Sequence, residues 1–336
     1  MDTHDPIVNL FAQNLAGGRP PLVLAPMAGV TDAPFRLIAK RYGADLTVSE
    51  MIASQAMVRN VSKSLLIGTA HEAEHPLSVQ IAGGDPEVMA QAARMNVDRG
   101  AEIIDINMGC PVKKIVKGQA GAALMRDEPL VARILAAVVE AVPVPVTLKI
   151  RLGWDKSNLN GARIGQIAQE QGVRMLTVHG RTRVQMYRGH ADWDEIAQIK
   201  QALTIPVIGN GDIHTPQEAK EKWQQSGVDG LMIGRAIMGR PWLFTQIAHF
   251  LATGEEQAAP DITEQHLLVL EHFDRLIEFY GPVVGNRMAR KHLAWYAKGL
   301  PNSAQYRSTV NQCPTPEETR KLVDDFYQGV INTQAA

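Results

Sequence analysis

Apolar residues in this chain fall into eight short runs that are separated by longer amphipathic stretches. The amphipathic stretches repeat their apolar positions with the period of a helix, as in residues 86–99, where Asp85 is the predicted N-cap and Pro86 takes the first helical position. Strands that alternate with helices predict βαβ units and a parallel sheet. The eight runs cover residues 22–27, 46–51, 77–82, 102–108, 144–150, 175–180, 205–211 and 230–234.

The number of these units selects the architecture. Eight repeats between residues 20 and 243 predict an α/β fold of the (β/α)8 type, a TIM barrel, rather than an open sheet. No GxGxxG sequence follows the first run, which weakens the alternative of an open dinucleotide-binding sheet. We therefore assign residues 20–243 to a barrel and residues 1–19 to an N-terminal extension.

The alternation of strands and helices ends after the eighth run. Residues 244–261 predict a connecting helix and a linker, and residues 262–336 show only helical patterns. We expect a small C-terminal all-α domain that packs on the barrel, because so few elements cannot form a large core of their own. Its predicted helices lie around residues 264–280, 285–298 and 317–330.

Composition limits the possible functions. With 34 basic and 35 acidic residues the formal net charge is −1, so any surface that attracts nucleic acid must be local. The two cysteines, Cys110 and Cys313, form no CxxC motif and have no histidine at ligand spacing, so we expect neither a disulfide framework nor a metal site. The first 19 residues lack the apolar stretch of a signal peptide, and no apolar run reaches the length of a membrane span. We expect a cytoplasmic protein.

Five of the eight runs turn polar toward their C-terminal ends. Burying an unpaired amide or cation costs several kcal/mol, and barrel enzymes keep their active sites at this end, so the shared pattern predicts a ligand site. Each residue alone also has a structural interpretation, such as a satisfied lysine, a core histidine or an amide that caps a loop. Because strand residues alternate between faces, the polar residues of each run share one face: Ser78 and Gln80; Asp105 and Asn107; Thr147, Lys149 and Arg151; Thr177, His179 and Arg181; Asn210 and Asp212.

Two glycine-containing stretches follow the seventh and eighth runs and suit a phosphate group. In "GNGDI" (209–213) and "IGRAIMGRPW" (233–242), glycines let backbone N–H groups approach an anion, and Arg235 adds a charged donor. The first run ends in "APMAG", whose small residues allow close contact with a flat ring. Together with the Lys149 cation, these features favour flavin mononucleotide (FMN) over a sugar phosphate.

These motifs resemble those of the tRNA-dihydrouridine synthases, and the bacterial B subfamily most closely. The resemblance implies an FMN-binding barrel and a helical tRNA-binding domain. It also implies that NADPH serves to reduce the C5–C6 bond of a D-loop uridine to 5,6-dihydrouridine, at position 17 for a B-type member. The motifs occur in order as "APMAGVTDAPFR", "QIAG", "DINMGCPVKK", "TLKIRLGW", "VHGRTR", "VIGNGDI", "MIGRAIMGRPWLF" and, in the helical domain, "RMARKHLAWY" (287–296).

The resemblance further implies roles for single residues. Cys110 matches the family's proton donor, where it would otherwise be a small residue at a turn. An ordinary thiol, with a pKa near 8.5, is mostly protonated at neutral pH, as an acid must be. The implied flavin contacts are Pro26, Met27, Ala28, Gln80, Asn107, Lys149 and His179, with Asn210, Gly211, Asp212, Gly234 and Arg235 at the phosphate end.

A uridine in folded tRNA reaches a barrel mouth only if it is turned out of its stack, so the RNA must be held by its backbone. We predict that cations in two segments contact its phosphates, and we expect the protein to act as a monomer. The alternative for the segment of the helical domain, residues 287–298, is a helix whose basic face is solvated while Trp295 and Tyr296 lie in the core. The predicted contacts are Lys113 and Lys114, with Lys117 beside them, and Arg287, Arg290 and Lys291, with Lys298 beside them.

Two other functions remain open at this point. One is a small-molecule flavin reductase of the dihydroorotate or enoate type, which would need neither the basic helical segment nor the Lys113–Lys114 pair. The other is a tRNA-binding chaperone with the barrel as a scaffold, which would not need five polar strand ends.

Overall fold

Eight parallel strands close into a barrel, which confirms the predicted fold class. In this computed structural model, which describes residues 5–59, 61, 66–67 and 74–335, each barrel strand pairs with the next and β9 pairs with β1. A ninth, two-residue strand, β3 (Ile52–Ala53), adds to the end of β4. The barrel strands are β1 (Leu22–Leu24), β2 (Leu46–Val48), β4 (Leu77–Ala82), β5 (Ile103–Met108), β6 (Val146–Arg151), β7 (Met175–His179), β8 (Val207–Asn210) and β9 (Gly230–Ile233).

Helices lie between the strands and cover the barrel. The predicted cap is confirmed where the Asp85 carboxylate accepts a hydrogen bond of 3.0 Å from the N–H of Val88. In the order of the chain the helices are α1 (Pro6–Ala16), α2 (Ala33–Arg41), α3 (Ser54–Val58), α4 (Pro86–Val97), α5 (Lys113–Lys117), α6 (Glu128–Ala141), α7 (Gly161–Glu170), α8 (Trp193–Gln201), α9 (Pro216–Ser226) and α10 (Leu243–Thr253), with 3-10 turns at Gly121–Arg126 and Arg235–Ile237.

The N-terminal helix α1 closes the N-terminal end of the barrel. Its Ile7 and Leu10 are buried and form one apolar cluster with barrel residues that include Val23, Ile103 and Met175. This burial leaves the C-terminal end of the barrel as the end where polar strand residues meet. The N-terminal extension, to which the sequence assigned no role, is thus part of the barrel's core.

The C-terminal region is all helical, as predicted, and shares a core with the outside of the barrel. It consists of α11 (Ile262–Tyr296), α12 (Ser303–Val310) and α13 (Pro316–Ala335). Helix α11 is interrupted at Gly281, whose φ of 76° is not helical, so it corresponds to the two predicted helices. Its buried residues pack against Ile38 and Trp242 from the barrel. Among the described residues, no helix combines the length and the apolar run that a membrane crossing needs.

A buried ion pair fixes the loop that follows β1. Arg36, in α2, pairs with the carboxylate of Glu74, and neither side chain is accessible to solvent. Arg36 also donates to the carbonyl of Thr31, and the hydroxyl of Thr47 donates to Glu74. The hydroxyl of Thr31 accepts a hydrogen bond from the N–H of Met27. The Arg36–Glu74 pair therefore holds the loop that contains Met27, one of the predicted flavin contacts.

We expect Arg36→Met to destabilise the protein by about 3–5 kcal/mol, because it leaves the Glu74 carboxylate buried without its cation. The double variant Arg36→Met/Glu74→Met should be less destabilised than the single one, since it leaves no uncompensated charge. Urea unfolding of both variants measures the difference. Equal losses of stability would contradict the assignment of this pair.

Candidate active site

One cavity at the C-terminal end of the barrel brings the predicted site residues together. Its volume is about 440 Å³, within the range of about 300–1,000 Å³ that small-molecule sites occupy. The loops and strand ends that form it come from around the barrel. Its lining includes Pro26, Met27, Ala28, Gln80, Asn107, Cys110, Lys149, His179, Asn210, Gly211, Asp212, Gly234 and Arg235.

A chain of hydrogen bonds runs beneath the cavity. Asp105 is buried and accepts from the hydroxyl of Thr147 (2.6 Å) and from the amide nitrogen of Gln80 (2.6 Å). The amide nitrogen of Asn107 in turn donates to the amide oxygen of Gln80 (2.8 Å). Each of these amide nitrogens carries a second N–H, so both can still donate to a ligand in the cavity. Burial raises the pKa of Asp105, and the two hydrogen bonds oppose that rise.

The same chain ends on the loop that carries Cys110. The amide oxygen of Asn107 accepts from the backbone N–H groups of Gly109 (3.2 Å) and Cys110 (2.9 Å). On its other side the loop packs against Gly121, where an added Cβ would lie 2.8 Å from the Cys110 carbonyl oxygen, so no larger residue fits. Cys110 itself is partly exposed and lines the cavity. The sulfur is therefore presented by a loop that is fixed from both sides.

Lys149 supplies a cation inside the cavity wall. Its Nζ donates to the side-chain oxygen of Asn210 (3.1 Å), and the Asn210 amide nitrogen donates to the carbonyl of Met232 (2.8 Å). Burial, assisted by the nearby Arg151 cation, lowers the pKa of Lys149 to about 8, and Asp105 opposes this shift. Lys149 is thus mostly protonated at neutral pH, in a place where a charge is costly without a ligand.

His179 and Asp212 are both affected by the cations of this end of the barrel. Burial and the charges of Arg151 and Lys149 lower the pKa of His179 well below its ordinary value, so its imidazole is neutral at pH 7. Asp212 forms an ion pair with Arg181 (2.8 Å) and accepts from the N–H of Ala191 (2.7 Å). Since its carboxylate is engaged there, a role for Asp212 at a phosphate is left to its backbone.

Two buried arginines, Arg151 and Arg181, hold the loop after β7; they belong to the polar strand ends that predicted a ligand site, but neither was assigned a flavin contact. Arg151 donates to the carbonyls of Gly109, Thr182 and Met186, and Arg181 donates to the carbonyl of Gly189 (2.7 Å). Both arginines are polar residues at strand ends, so their sequence positions carried a signal for the site.

Tyr187 also lines the cavity, although no sequence motif indicated this. The guanidinium of Arg235 lies 4.7 Å from the centroid of its ring, and that of Arg151 lies 5.6 Å away. Tyr187 is 52% exposed. A single aromatic residue in a loop has many possible surroundings, and only the folded loop places it between two cations.

Two glycines shape the cavity wall. At Gly211 the φ is 138°, and an added Cβ would lie 2.6 Å from the Cβ of Ala191, so the protein itself requires glycine. At Gly234 an added Cβ would meet only Ala25 at 3.7 Å and Met27 at 3.9 Å. The protein's own packing would therefore allow a side chain at Gly234. Because glycine has none, this space beside the Arg235 cation is open to a ligand.

The comparison with known proteins agrees with the motifs. A sequence model described as dihydrouridine synthase matches residues 23–331, which is most of the chain. This protein belongs to the dihydrouridine synthase family. The tRNA-dihydrouridine synthase B of Xanthomonas axonopodis pv. citri is 54% identical over 317 residues, which cover 93% of this chain and 94% of that protein. The tRNA-dihydrouridine synthase B of Pseudomonas aeruginosa is 50% identical over 91% of this chain and 92% of its own.

A solved structure supports the fold of this family member. Histamine dehydrogenase from Rhizobium sp. 4-9 superposes with a TM-score of 0.52 at 12% sequence identity. The match covers 75% of this chain, which spans about half (48%) of that larger chain. At this level of identity the likeness concerns the fold alone.

The cations predicted to contact RNA have different surroundings in this family member. Lys113 and Lys114 are exposed on α5, directly after the Cys110 loop, and Arg287 is exposed on α11. Arg290 is half-buried and donates to the carbonyl of Cys313 (2.9 Å). Lys291 is half-buried too, and an added Cβ at Gly29 would lie 3.4 Å from its Nζ.

The aromatic residues of this segment differ as well. Tyr296 is buried, and its hydroxyl lies 3.1 Å from Nδ1 of His272, so it belongs to the core, as the alternative interpretation of the segment had it. Trp295 is partly exposed. Of the three cations predicted on this helix, Arg287 is the one that is exposed.

Replacing Lys149 should change stability and flavin binding in opposite directions. A lysine whose pKa is lowered by folding destabilises the protein while it is protonated; the cost is complete below about pH 8 and disappears as the pH rises to about 10.5. Lys149→Met should therefore stabilise the flavin-free protein at pH 7 by on the order of 1–3 kcal/mol, while its affinity for FMN falls.

Thermal unfolding of flavin-free protein and FMN titration test this expectation at pH 7 and pH 10. Lys156→Met, which removes an exposed lysine from the next loop, is the matched control and should change neither quantity. A loss of stability in Lys149→Met would indicate that this lysine is a structural residue.

Proposed function

We propose that this protein is a flavin-dependent oxidoreductase that reduces a uridine of tRNA to 5,6-dihydrouridine, with FMN as the bound cofactor and Cys110 as the proton donor. The observation that carries the proposal is the single cavity in which Cys110 meets Lys149, Arg235 and the other predicted flavin contacts. Family membership and relatives at about 50% identity that are named tRNA-dihydrouridine synthase support it.

The cavity suits FMN in charge and in shape. FMN is an anion with a flat ring at one end and a phosphate at the other, and the cavity contains cations at two places. Lys149 and the amides of Gln80 and Asn107 would contact the polar edge of the ring, next to the backbone of Pro26, Met27 and Ala28. The phosphate would lie near Arg235, at the space that Gly234 leaves open.

The reaction adds a hydride to C6 and a proton to C5 of the uracil ring. When bound, FMN supplies the hydride transfer, which no amino-acid side chain performs. The chain's own part is the proton. Cys110 would donate it as a thiol, from a loop whose backbone is held by Asn107 and Arg151. The neutral imidazole of His179 adds no further positive charge to the cavity.

Five finer statements belong to the same proposal. NADPH is the reductant, the uridine lies in the D loop at position 17, and the enzyme acts in the cytoplasm as a monomer without a metal. They rest on the resemblance to the B-type family members and on the composition of the chain. Mapping dihydrouridine in tRNA after reaction, and comparing NADPH with NADH in stopped flow, test the first two statements directly.

The two alternative functions account for fewer of the observations. A reductase for a small molecule has no use for three exposed lysines on α5 beside the Cys110 loop. A binding scaffold has no use for a partly exposed thiol that is fixed at the edge of a cavity lined by cations. Oxidation of NADPH that depends on added tRNA would separate the proposed enzyme from both.

The proton donor can be tested by separating the two halves of the reaction. Cys110→Ala should leave reduction of the bound flavin by NADPH nearly unchanged, because the thiol takes no part in it. It should slow the oxidation of the reduced enzyme by tRNA by about 10²–10⁴-fold, the usual contribution of a general acid. Single-turnover absorbance of the flavin measures both rates.

Cys313→Ala is the matched control, since it removes a buried thiol that lies in the helical domain. It should leave both rates unchanged. If Cys110→Ala is oxidised by tRNA at the normal rate, the proton comes from another group.

The different surroundings of Arg287 and Arg290 lead to a further expectation. Arg287→Ala should weaken tRNA binding and reduce the slope of log affinity against log salt by roughly 0.7–0.9, the value for one phosphate contact. Arg290→Ala should instead lower thermal stability, because the carbonyl of Cys313 loses the shorter of its two hydrogen bonds and keeps the one from Asn286. A salt dependence of Arg287→Ala identical to that of the wild type would remove α11 from the RNA surface.

A further inference from the structure

Three neighbouring loops at the mouth of the barrel carry a strong local excess of positive charge. The loops follow β5 (residues 109–127), β6 (152–160) and β7 (180–192), and their three carboxylates are Asp127, Asp155 and Asp192. This contrasts with the whole chain, whose net charge is −1. The eight lysines and arginines of these loops are Lys113, Lys114, Lys117, Arg126, Lys156, Arg181, Arg183 and Arg188.

Two of these arginines are stacked on one tryptophan. The guanidinium carbons of Arg126 and Arg183 each lie 4.7 Å from the ring centroid of Trp154. Backbone hydrogen bonds join the loops of Trp154 and Arg183, from Arg183 N–H to the Gly153 carbonyl and from Val184 N–H to the Trp154 carbonyl (both 3.0 Å). The three side chains, Arg126, Trp154 and Arg183, form what we call the Trp154 stack.

The Trp154 stack keeps a net positive charge, because its two guanidinium groups have, among the described residues, one carboxylate beside them, that of Asp155, whose pKa is lowered by its hydrogen bonds to Ser157 and by the charge of Arg126. Arg126 is exposed, and the Nε of Arg183 is buried without a hydrogen-bond partner within the described part of the chain. The nearby carboxylate of Asp155 accepts from the N–H and the hydroxyl of Ser157. Stacking on an indole holds a guanidinium in place without using its N–H donors, so the exposed Arg126 and the exposed part of the half-buried Arg183 can donate to an anion, although the buried Nε of Arg183 cannot.

The surface continues beyond the stack along a shallow cavity of about 410 Å³. Lys156 and Arg188 line it, together with Thr182 and Val184. It adjoins the active site, because Arg151, in the wall of the flavin cavity, donates to the carbonyls of Thr182 and Met186 in the same loop. A polyanion that delivers a base to Cys110 can therefore lie across these loops.

We propose that the Trp154 stack and the cavity beside it form a second tRNA-binding surface, which binds successive backbone phosphates on the barrel side of the active site. The proposal rests on the proposed function and names where its substrate docks. A row of cations over three loops matches a long chain of phosphodiesters better than NADPH, which carries only a diphosphate and one 2′-phosphate. Because the guanidinium groups are held in place before binding, less side-chain entropy is lost on contact.

The test is tRNA affinity at several salt concentrations for Arg126→Ala/Arg183→Ala. We expect affinity to fall about tenfold or more, and the slope of log affinity against log salt to decrease by roughly 1.4–1.8, for two phosphate contacts. Flavin content and flavin reduction by NADPH should stay unchanged. The matched control is Arg163→Ala/Arg174→Ala, which removes two charges from arginines that are 53% exposed, on α7 and at the start of β7.

A second variant, Trp154→Leu, keeps every charge and removes the indole ring on which the two arginines stack. It should weaken tRNA binding while it keeps most of the salt slope, since the arginines can still contact phosphates but are no longer held in place. If Arg126→Ala/Arg183→Ala binds tRNA like its control, the proposal fails. If instead only its KM for NADPH rises, the stack binds the reductant and the proposal also fails. Wild-type protein that neither binds nor reduces tRNA would refute the proposed function itself.

Discussion

Buried polar groups at the C-terminal end of the barrel must bind one another, and this requirement organises the active site. Asp105 lies inside the barrel, where an unpaired carboxylate would be costly, and it accepts hydrogen bonds from both Thr147 and Gln80. Gln80 then binds Asn107, and Asn107 holds the backbone at Cys110. Satisfying one buried acid therefore helps to determine, through the side chains of Gln80 and Asn107, where the thiol is presented.

Burying cations at the same end of the barrel costs free energy. The protein's own groups offset this cost more fully for the two arginines than for the lysine. Arg181 has the carboxylate of Asp212, and Arg151 has three backbone carbonyls. Lys149 has the neutral oxygen of Asn210 and a pKa lowered to about 8 by burial. Buried groups with shifted pKa values cluster at functional sites. The lowered pKa of Lys149 therefore supports the proposed FMN site.

The loop after β1 links the cavity to the helical domain. From the barrel it is held by Arg36 and Glu74 through Thr31. From the helical domain the hydroxyl of Tyr280 donates to Asp32 (3.2 Å), and burial together with the charge of Glu50 raises the pKa of Asp32 to about 6. Tyr280 directly precedes the interruption of α11 at Gly281. The loop after β1 is thus held both from the barrel and from the helical domain.

The sequence by itself determined the barrel and most of the cavity lining. Both follow from local rules, because the alternation of apolar and polar residues decides which side chains face inward, and parallel strands bring their C-terminal ends together. Gln80, Asn107 and Lys149 could be placed at one mouth on that basis alone. The predicted first run, 22–27, extended beyond β1 (Leu22–Leu24) because apolar residues continue into the loop that lines the cavity.

The tertiary structure alone decided which polar groups are already engaged. Arg287 and Arg290 look equivalent in the sequence, yet only Arg290 meets a carbonyl, that of Cys313 in a distant loop. The pairing of Arg181 with Asp212 and the burial of α1 in the barrel end are of the same kind. Each of these contacts joins different segments of the chain. The apolar period of one segment contains no information about which other segment packs against it.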